Sequence, residues 1–203
     1  MQLFKNTTLY TLFVTVTILL LASSLYAQRT QLNYKVMQGG NNIGWVKLDK
    51  KDSANTSLIK LGSEIKKRML FMFTIIENQE AYFQNGIMMR SYVYRRINKD
   101  VKTDKRTLYD GTQYKVSKEK STSQVTLNHI DNNFLSLYFS EPINLRQVYS
   151  DNFEQLLTIE KTTGGFYKIN LPDGNTTSYY YTNGICSKVK VEQSLFTVEF
   201  VLM

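Results

Sequence analysis

Hydrophobic and polar positions alternate along most of this chain. Leu32, Tyr34 and Val36 fall at period two and share one face of an extended strand. Gly39-Gly40-Asn41-Asn42 then reverses the chain, since Gly and Asn tolerate the positive φ of tight hairpin turns. Beyond the turn, Val46 and Leu48 share one face while Ile43 and Trp45 share the other. This plan of strand, polar turn and strand repeats. Thr56 to Glu64 places Ile59 and Leu61 together, and Leu70 to Ile76 is apolar on both faces, which predicts a central strand covered on both sides. After the turn signal Asn85-Gly86, Ile87 to Ile97 splits in two. Ile87, Met89, Val93 and Ile97 are expected in the core, with Met88, Arg90, Tyr92, Tyr94 and Arg96 opposite.

Two stretches depart from alternation. Asn98 to Arg106 is a charged connection, followed by a polar hairpin made of Gln113 to Lys118 and Ser123 to His129. In Asp131 to Tyr138, Phe134, Leu137 and Tyr138 stand at i, i+3 and i+4 behind a possible N-cap, Asp131. That spacing predicts a short helical plug over Asn133 to Ser140, ended by Pro142. Val148 to Leu157 is ambiguous, because Ser150 could cap a short helix carrying Phe153, Leu156 and Leu157. The last third reads as five strands: Leu156 to Lys161, Phe166 to Leu171, Thr176 to Thr182, Ile185 to Gln193 and Leu195 to Leu202. Tight turns between consecutive strands make them antiparallel neighbours. The expected fold is all-β: one domain over 28–203, an antiparallel meander forming a closed or partly open barrel with the helical plug.

Leu32 to Gly44, Leu135 to Pro142 (LSLYFSEP) and Leu171 to Cys186 (LPDGNTTSYYYTNGIC) resemble an uncharacterised family of exported bacterial β-rich proteins, domain of unknown function 6134. These motifs are turn and packing residues. The resemblance implies a cell-envelope β-rich protein and carries no catalytic or ligand-binding residues with it.

The N-terminus changes the picture of location. Lys5, an apolar run from Leu9 to Ala22 and small residues ending at Ala27 have the layout of a signal peptide over 1–27. A periplasmic or secreted protein is expected. Abundant aromatics (14 Tyr and 11 Phe) beside only 2 Pro suit sheets. Cys186 is the sole cysteine, so an internal disulfide is impossible and a buried, inert thiol is expected.

The basic charge is concentrated. Lys60 to Lys120 holds 14 Lys and Arg against 7 Asp and Glu, while the rest of the chain after Ala27 is balanced. Within that third, Arg90, Tyr92, Tyr94 and Arg96 alternate on one strand face. Guanidinium groups in that pattern can fork onto phosphate or carboxylate, and phenol rings can cover sugar or acyl surface, which makes these four the tentative ligand-binding residues. The competing reading is a solvated sheet face.

Catalytic chemistry has few candidates. His129 is the only histidine, no Gly-x-Ser-x-Gly elbow or phosphate-binding loop exists, and carboxylates such as Glu141, Asp151 and Glu154 can meet only in three dimensions. No catalytic residue, metal or cofactor is expected. The function expected is non-enzymatic binding of an apolar or amphipathic anionic ligand, lipid or glycolipid-like, in or on a β-barrel. Partners would be anionic lipid or glycan, without nucleic acid, through peripheral membrane contact. The alternatives are a small outer-membrane barrel and, second, a hydrolase with a site not visible in sequence.

Overall fold

The computed structural model describes residues 28–68 and 72–203; the expected signal peptide lies outside them. Fifteen strands follow one another: β1 (Gln28–Gln38), β2 (Asn41–Ser53), β3 (Thr56–Arg68), β4 (Met72–Gln84), β5 (Ile87–Ile97), β6 (Asp100–Tyr109), β7 (Tyr114–Lys118) and β8 (Ser121–Val125) come first. After a long irregular segment come β9 (Gln147–Ser150), β10 (Gln155–Thr158), β11 (Glu160–Lys161), β12 (Tyr167–Asn170), β13 (Thr176–Thr182), β14 (Ile185–Gln193) and β15 (Phe196–Leu202).

Thirteen strands form one antiparallel sheet in the order β11-β12-β13-β14-β15-β1-β2-β3-β4-β5-β6-β7-β8, and β9 and β10 form a separate hairpin. Every neighbour in the large sheet is a sequence neighbour except one pair. β15 returns to lie beside β1, with Tyr34 opposite Leu202 and Val36 opposite Phe200.

The alternation that predicts the first hairpin decides the core. Tyr34, Val36, Val46, Leu48 and Ile59 are all buried on the inner face. The inner face wraps the segment between β8 and β11, which supplies Ile130, Leu135, Leu137, Val148 and Tyr149 to the same core. Hydrogen bonds pin that segment to the sheet. Met88 N donates to Ile130 O (2.8 Å), Ile130 N to the Tyr114 hydroxyl (2.8 Å), and the Tyr181 hydroxyl to Leu137 O (2.7 Å).

The barrel is not closed, contrary to that part of the expectation. The ladder ends at β11 and β8, which have one neighbour each among the described residues. A five-residue polar strand and a two-residue strand leave little edge to join, and short edges of this kind resist pairing with other chains.

The helical plug is also corrected. Residues 131–140 hold a single 3-10 turn, Ser136–Tyr138, with no side-chain cap. Asn133 is the reason: it pairs with Tyr149 as an isolated bridge, and Ser136 Oγ donates to its carbonyl oxygen (2.7 Å), so the backbone is committed before a helix can nucleate. Pro142 bars extension from the other side. The possible helix at Val148 to Leu157 is the β9–β10 hairpin, turned by Glu154 at φ 58.

Two further expectations shift. Asn98 to Arg106 is a turn leading into β6 rather than a connection. In β5 the register slips opposite Tyr82 and Phe83, so the extra residue Met89 redirects the strand. Met88, Ser91 and Val93 point inward; of the expected core set only Val93 is buried. Of the two-sided run Leu70 to Ile76, the described part begins β4, with Met72 exposed and Phe73 to Ile76 half-buried.

Candidate functional site

Arg90, Tyr92, Tyr94 and Arg96 do share one face of β5, the outer one. Their cross-strand neighbours decide what they can do. Tyr92 stands between Glu80 and Arg106, and Tyr94 between Asn78 and Asp104. Arg90 lies 3.6 Å from Glu80, which also holds Lys60 at 3.0 Å, and its guanidinium covers the Tyr82 ring at 4.9 Å. Arg106 sits 5.5 Å from the Tyr92 ring centre. Of the two arginines in the row, Arg90 is engaged by a carboxylate and a ring, while Arg96 Nε is buried without a hydrogen-bond partner, so the four residues share one outer surface row with unequal freedom to meet an anion.

The same matching runs through the basic third. Among its described side chains, eight Lys and Arg lie in ion pairs of 2.7–3.8 Å. Of the others, Lys67, Arg96 and Lys99 lie towards one end of the sheet. Antiparallel pairing carries the β1–β2, β5–β6 and β14–β15 turns to the same end as the last residues of β3 and the first of β4. Arg68 pairs with Met72, Thr74 N donates to Asn98 Oδ1 (2.9 Å), and Lys67 reaches from β3 over the Phe196 ring across β1 and β2. Among the described side chains at this end, Lys66, Lys67, Arg96, Lys99 and Lys102 stand with Glu64 and Asp100, Lys66 pairing with Glu64 and Lys102 with Asp100. Met72, Val101 and Leu195 are 62%, 55% and 81% exposed at this rim. Basic and exposed apolar side chains thus share this end of the sheet.

Sequence reasoning missed a third feature, a buried polar cluster between the sheet and the inner segment. Asp151 accepts hydrogen bonds from Ser91 Oγ on β5 and from Asn133 Nδ2 (3.0 Å). Burial raises its carboxyl above the usual range, against the pull of those bonds and of Lys105. Lys105 Nζ, on the inner face of β6, donates to Asp151 O (2.9 Å) and Asn152 O (3.1 Å) and pairs with Glu154 (2.7 Å). Burial alone would raise Glu154, but hydrogen bonds from Lys105, Lys118 and Ser123 outweigh it and hold Glu154 below its ordinary value.

This cluster has the residue types of a hydrolase and the wiring of a clamp. The Lys105 ammonium is shared among the Asp151 and Asn152 carbonyls and the Glu154 carboxylate. Ser91 donates to a carboxylate that is itself buried among partners. What the arrangement does is fasten the inner segment to β5, β6 and β7. Among the described residues, no three His, Cys, Asp or Glu side chains are grouped to hold a metal ion. Cys186 is buried, and its thiol is pushed up to about 12 by that burial.

The model of the family described as Domain of unknown function (DUF6134) matches residues 34–203. Among solved structures, the chain is similar to a β-barrel-like protein of domain of unknown function DUF1849 from Brucella abortus, at a TM-score of 0.56 and 8% identity over 88% of this chain and 97% of that one. At that identity the likeness speaks for the fold alone. No curated protein matches the chain.

Proposed function

The chain belongs to the DUF6134 family, whose description names no activity, and we propose from its own residues that it is a non-enzymatic envelope protein that docks on an anionic amphipathic surface. The observation that carries the reading is the rim, where Lys66, Lys99 and Lys102 share one end of the sheet with exposed Met72, Val101 and Leu195. Each Lys or Arg held near an anionic leaflet contributes about 1 kcal/mol, and the apolar side chains add burial in the interface. Residues of the inner segment pack against the inner face of the sheet as part of one core.

Export fits the same reading: Lys5, the apolar run 9–22 and Ala27 have the order of a signal peptide, and a periplasmic or secreted protein meets lipid headgroups and glycans directly. A membrane-spanning barrel fits less well. It needs a closed ladder and an outward apolar band, whereas this ladder ends at β11 and β8 and its outer rows carry Lys47, Lys60, Glu80 and Arg106.

Co-sedimentation with vesicles across a salt series tests the proposal. The protein should pellet with anionic vesicles at low salt, release as the Debye length falls to about 8 Å, and ignore neutral vesicles. Lys66→Ala with Lys99→Ala, or Leu195→Ser alone, should weaken pelleting. Equal pelleting with both vesicle types, or no effect of either variant, would overturn it.

A further inference from the structure

The end of the sheet opposite the rim carries an open cavity of about 530 Å³. It lies between the β2–β3 and β4–β5 turns on one side and residues 131–140 of the inner segment on the other. Its volume falls within the range of small-molecule sites, which runs from about 300 to 1,000 Å³. The floor is apolar: Ile59 and Phe83 are both buried there, and half-buried Phe139 makes a wall. The Lys50 ammonium stands 6.0 Å from the Phe139 ring centre and pairs with Asp52 at 2.9 Å.

Polar groups converge above that floor with capacity to spare. Ser57 Oγ is buried without a hydrogen-bond partner, a state that costs about 1–3 kcal/mol unless a ligand or water answers it. Asn55 Nδ2 donates to Asn85 Oδ1 (2.8 Å), which ties the two turns together and leaves the Asn85 amide NH2 and the Asn55 amide oxygen uncommitted. Asp131 adds an exposed carboxylate from the inner segment. Lys50, Asp52 and Asp131 are the charged side chains of the lining, so the site is net negative by one.

We propose that this cavity binds a sugar ring, an amino sugar in preference to an acidic one. A pyranose has an apolar C–H face and a rim of hydroxyls that donate and accept. An aromatic wall, an apolar floor and uncommitted amide, hydroxyl and carboxylate groups match both parts. The net negative lining repels a carboxylated or phosphorylated sugar and favours an ammonium group beside Asp131. The site is independent of the rim: it uses other turns, the opposite charge and the other end of the sheet.

Calorimetric titration of the protein after Ala27 with glucosamine, its β-linked dimer, glucose and glucuronate tests this. Glucosamine should bind at least tenfold more tightly than glucuronate, with glucose between them. A stronger dimer would mean that the ring is read on a glycan chain, and an equal one that it is read free; both support the site. Asp131→Asn, at an exposed position, should cost glucosamine about tenfold and leave glucose within about twofold. Phe139→Ala should weaken all four, with far-UV circular dichroism checking its fold. No binding of any sugar at about 10 mM, a preference for glucuronate, or binding that Asp131→Asn leaves unchanged would overturn the proposal, while the vesicle assay reads the rim separately.

Discussion

Lys105 lies 2.7 Å from Glu154 with only 8% and 17% of the two side chains exposed. The partners come from distant parts of the sequence, one from β6 and one from the turn between β9 and β10. Their meeting fastens the inner segment to the sheet, because Lys105 also donates to the carbonyls of Asp151 and Asn152.

Glu154 has a second cation, and it makes a controlled comparison. Lys118 reaches the same carboxylate oxygen at the same 2.7 Å but is 42% exposed. Breaking a buried pair strands a charge in low dielectric, whereas an exposed pair contributes little. Lys105→Met should lower stability by about 2–4 kcal/mol, and Lys118→Met by less than about 1 kcal/mol. Urea unfolding of the two variants checks this, and equal losses would contradict it.

Asp151 supplies a pH signature. Its folded-state carboxyl is raised, chiefly by burial, so the native protein holds this proton more tightly than the unfolded chain does. The stabilisation from that proton is complete below the ordinary aspartate range and is lost as pH rises through the raised value. Glu154 runs the other way: its lowered carboxyl adds stability above the ordinary glutamate range, lost as pH falls through the lowered value. Asp151→Asn removes only the first contribution. The variant should therefore gain stability relative to the native protein between about pH 4 and about pH 7, by about 1.4 kcal/mol for each tenfold change in proton affinity. Unfolding midpoints at the two pH values measure it, and a constant difference would exclude the buried-acid assignment.

The strands were legible where burial is one-sided. Leu32, Tyr34 and Val36 alternate with Gln31, Asn33 and Lys35, and no other register hides them. In β5 the same reasoning failed at Met88 and Met89, since two adjacent methionines give no sign of which one a bulge turns inward. Lys105 and Thr107 face the core while Arg106 and Leu108 face out, so polarity along β6 carries no alternation to read. Asp131 looked like a cap because the apolar spacing after it is helical; the bridge from Asn133 to Tyr149 that overrides it is a contact sixteen residues away. The Arg90 to Arg96 row is legible in the sequence, but its cross-strand neighbours Glu80 and Asp104 become visible only once the strands are paired.

Glycine tolerance separates two positions on neighbouring strands. A Cβ at Gly44 would press on Glu64 O and lie 2.8 Å from Ile65 Cα, both backbone atoms of the paired strand β3. A Cβ at Gly62 would meet Asn78 Oδ1 at 3.6 Å and Trp45 at 3.9 Å, ordinary contacts. Gly44→Ala should cost about 2–4 kcal/mol through a forced shift of the β2–β3 ladder. Gly62→Ala should be neutral or stabilising by up to about 1 kcal/mol, because alanine loses less backbone entropy in a strand. Thermal unfolding of both variants decides it; a tolerated Gly44→Ala would mean the β2–β3 pairing is looser than this register.

Cys186 tests the inner face at β14. Its thiol is buried, its Sγ lies 3.4 Å from Lys188 O, and its carbonyl accepts from the Tyr34 hydroxyl at 2.7 Å. Burial pushes the thiol up to about 12, so almost no thiolate exists near neutrality, and the thiolate is the nucleophile. A thiol reagent should leave the folded protein unmodified and react fully once denaturant is added. Cys186→Ser exchanges a weakly polar sulfur for a hydroxyl that must be satisfied among Tyr34, Tyr138 and Tyr179. The Lys188 carbonyl offers one acceptor, which limits the expected loss to about 1–2 kcal/mol. Rapid labelling of the native protein at neutral pH would place the thiol at an accessible site and contradict this packing of β13 and β14 around Tyr34.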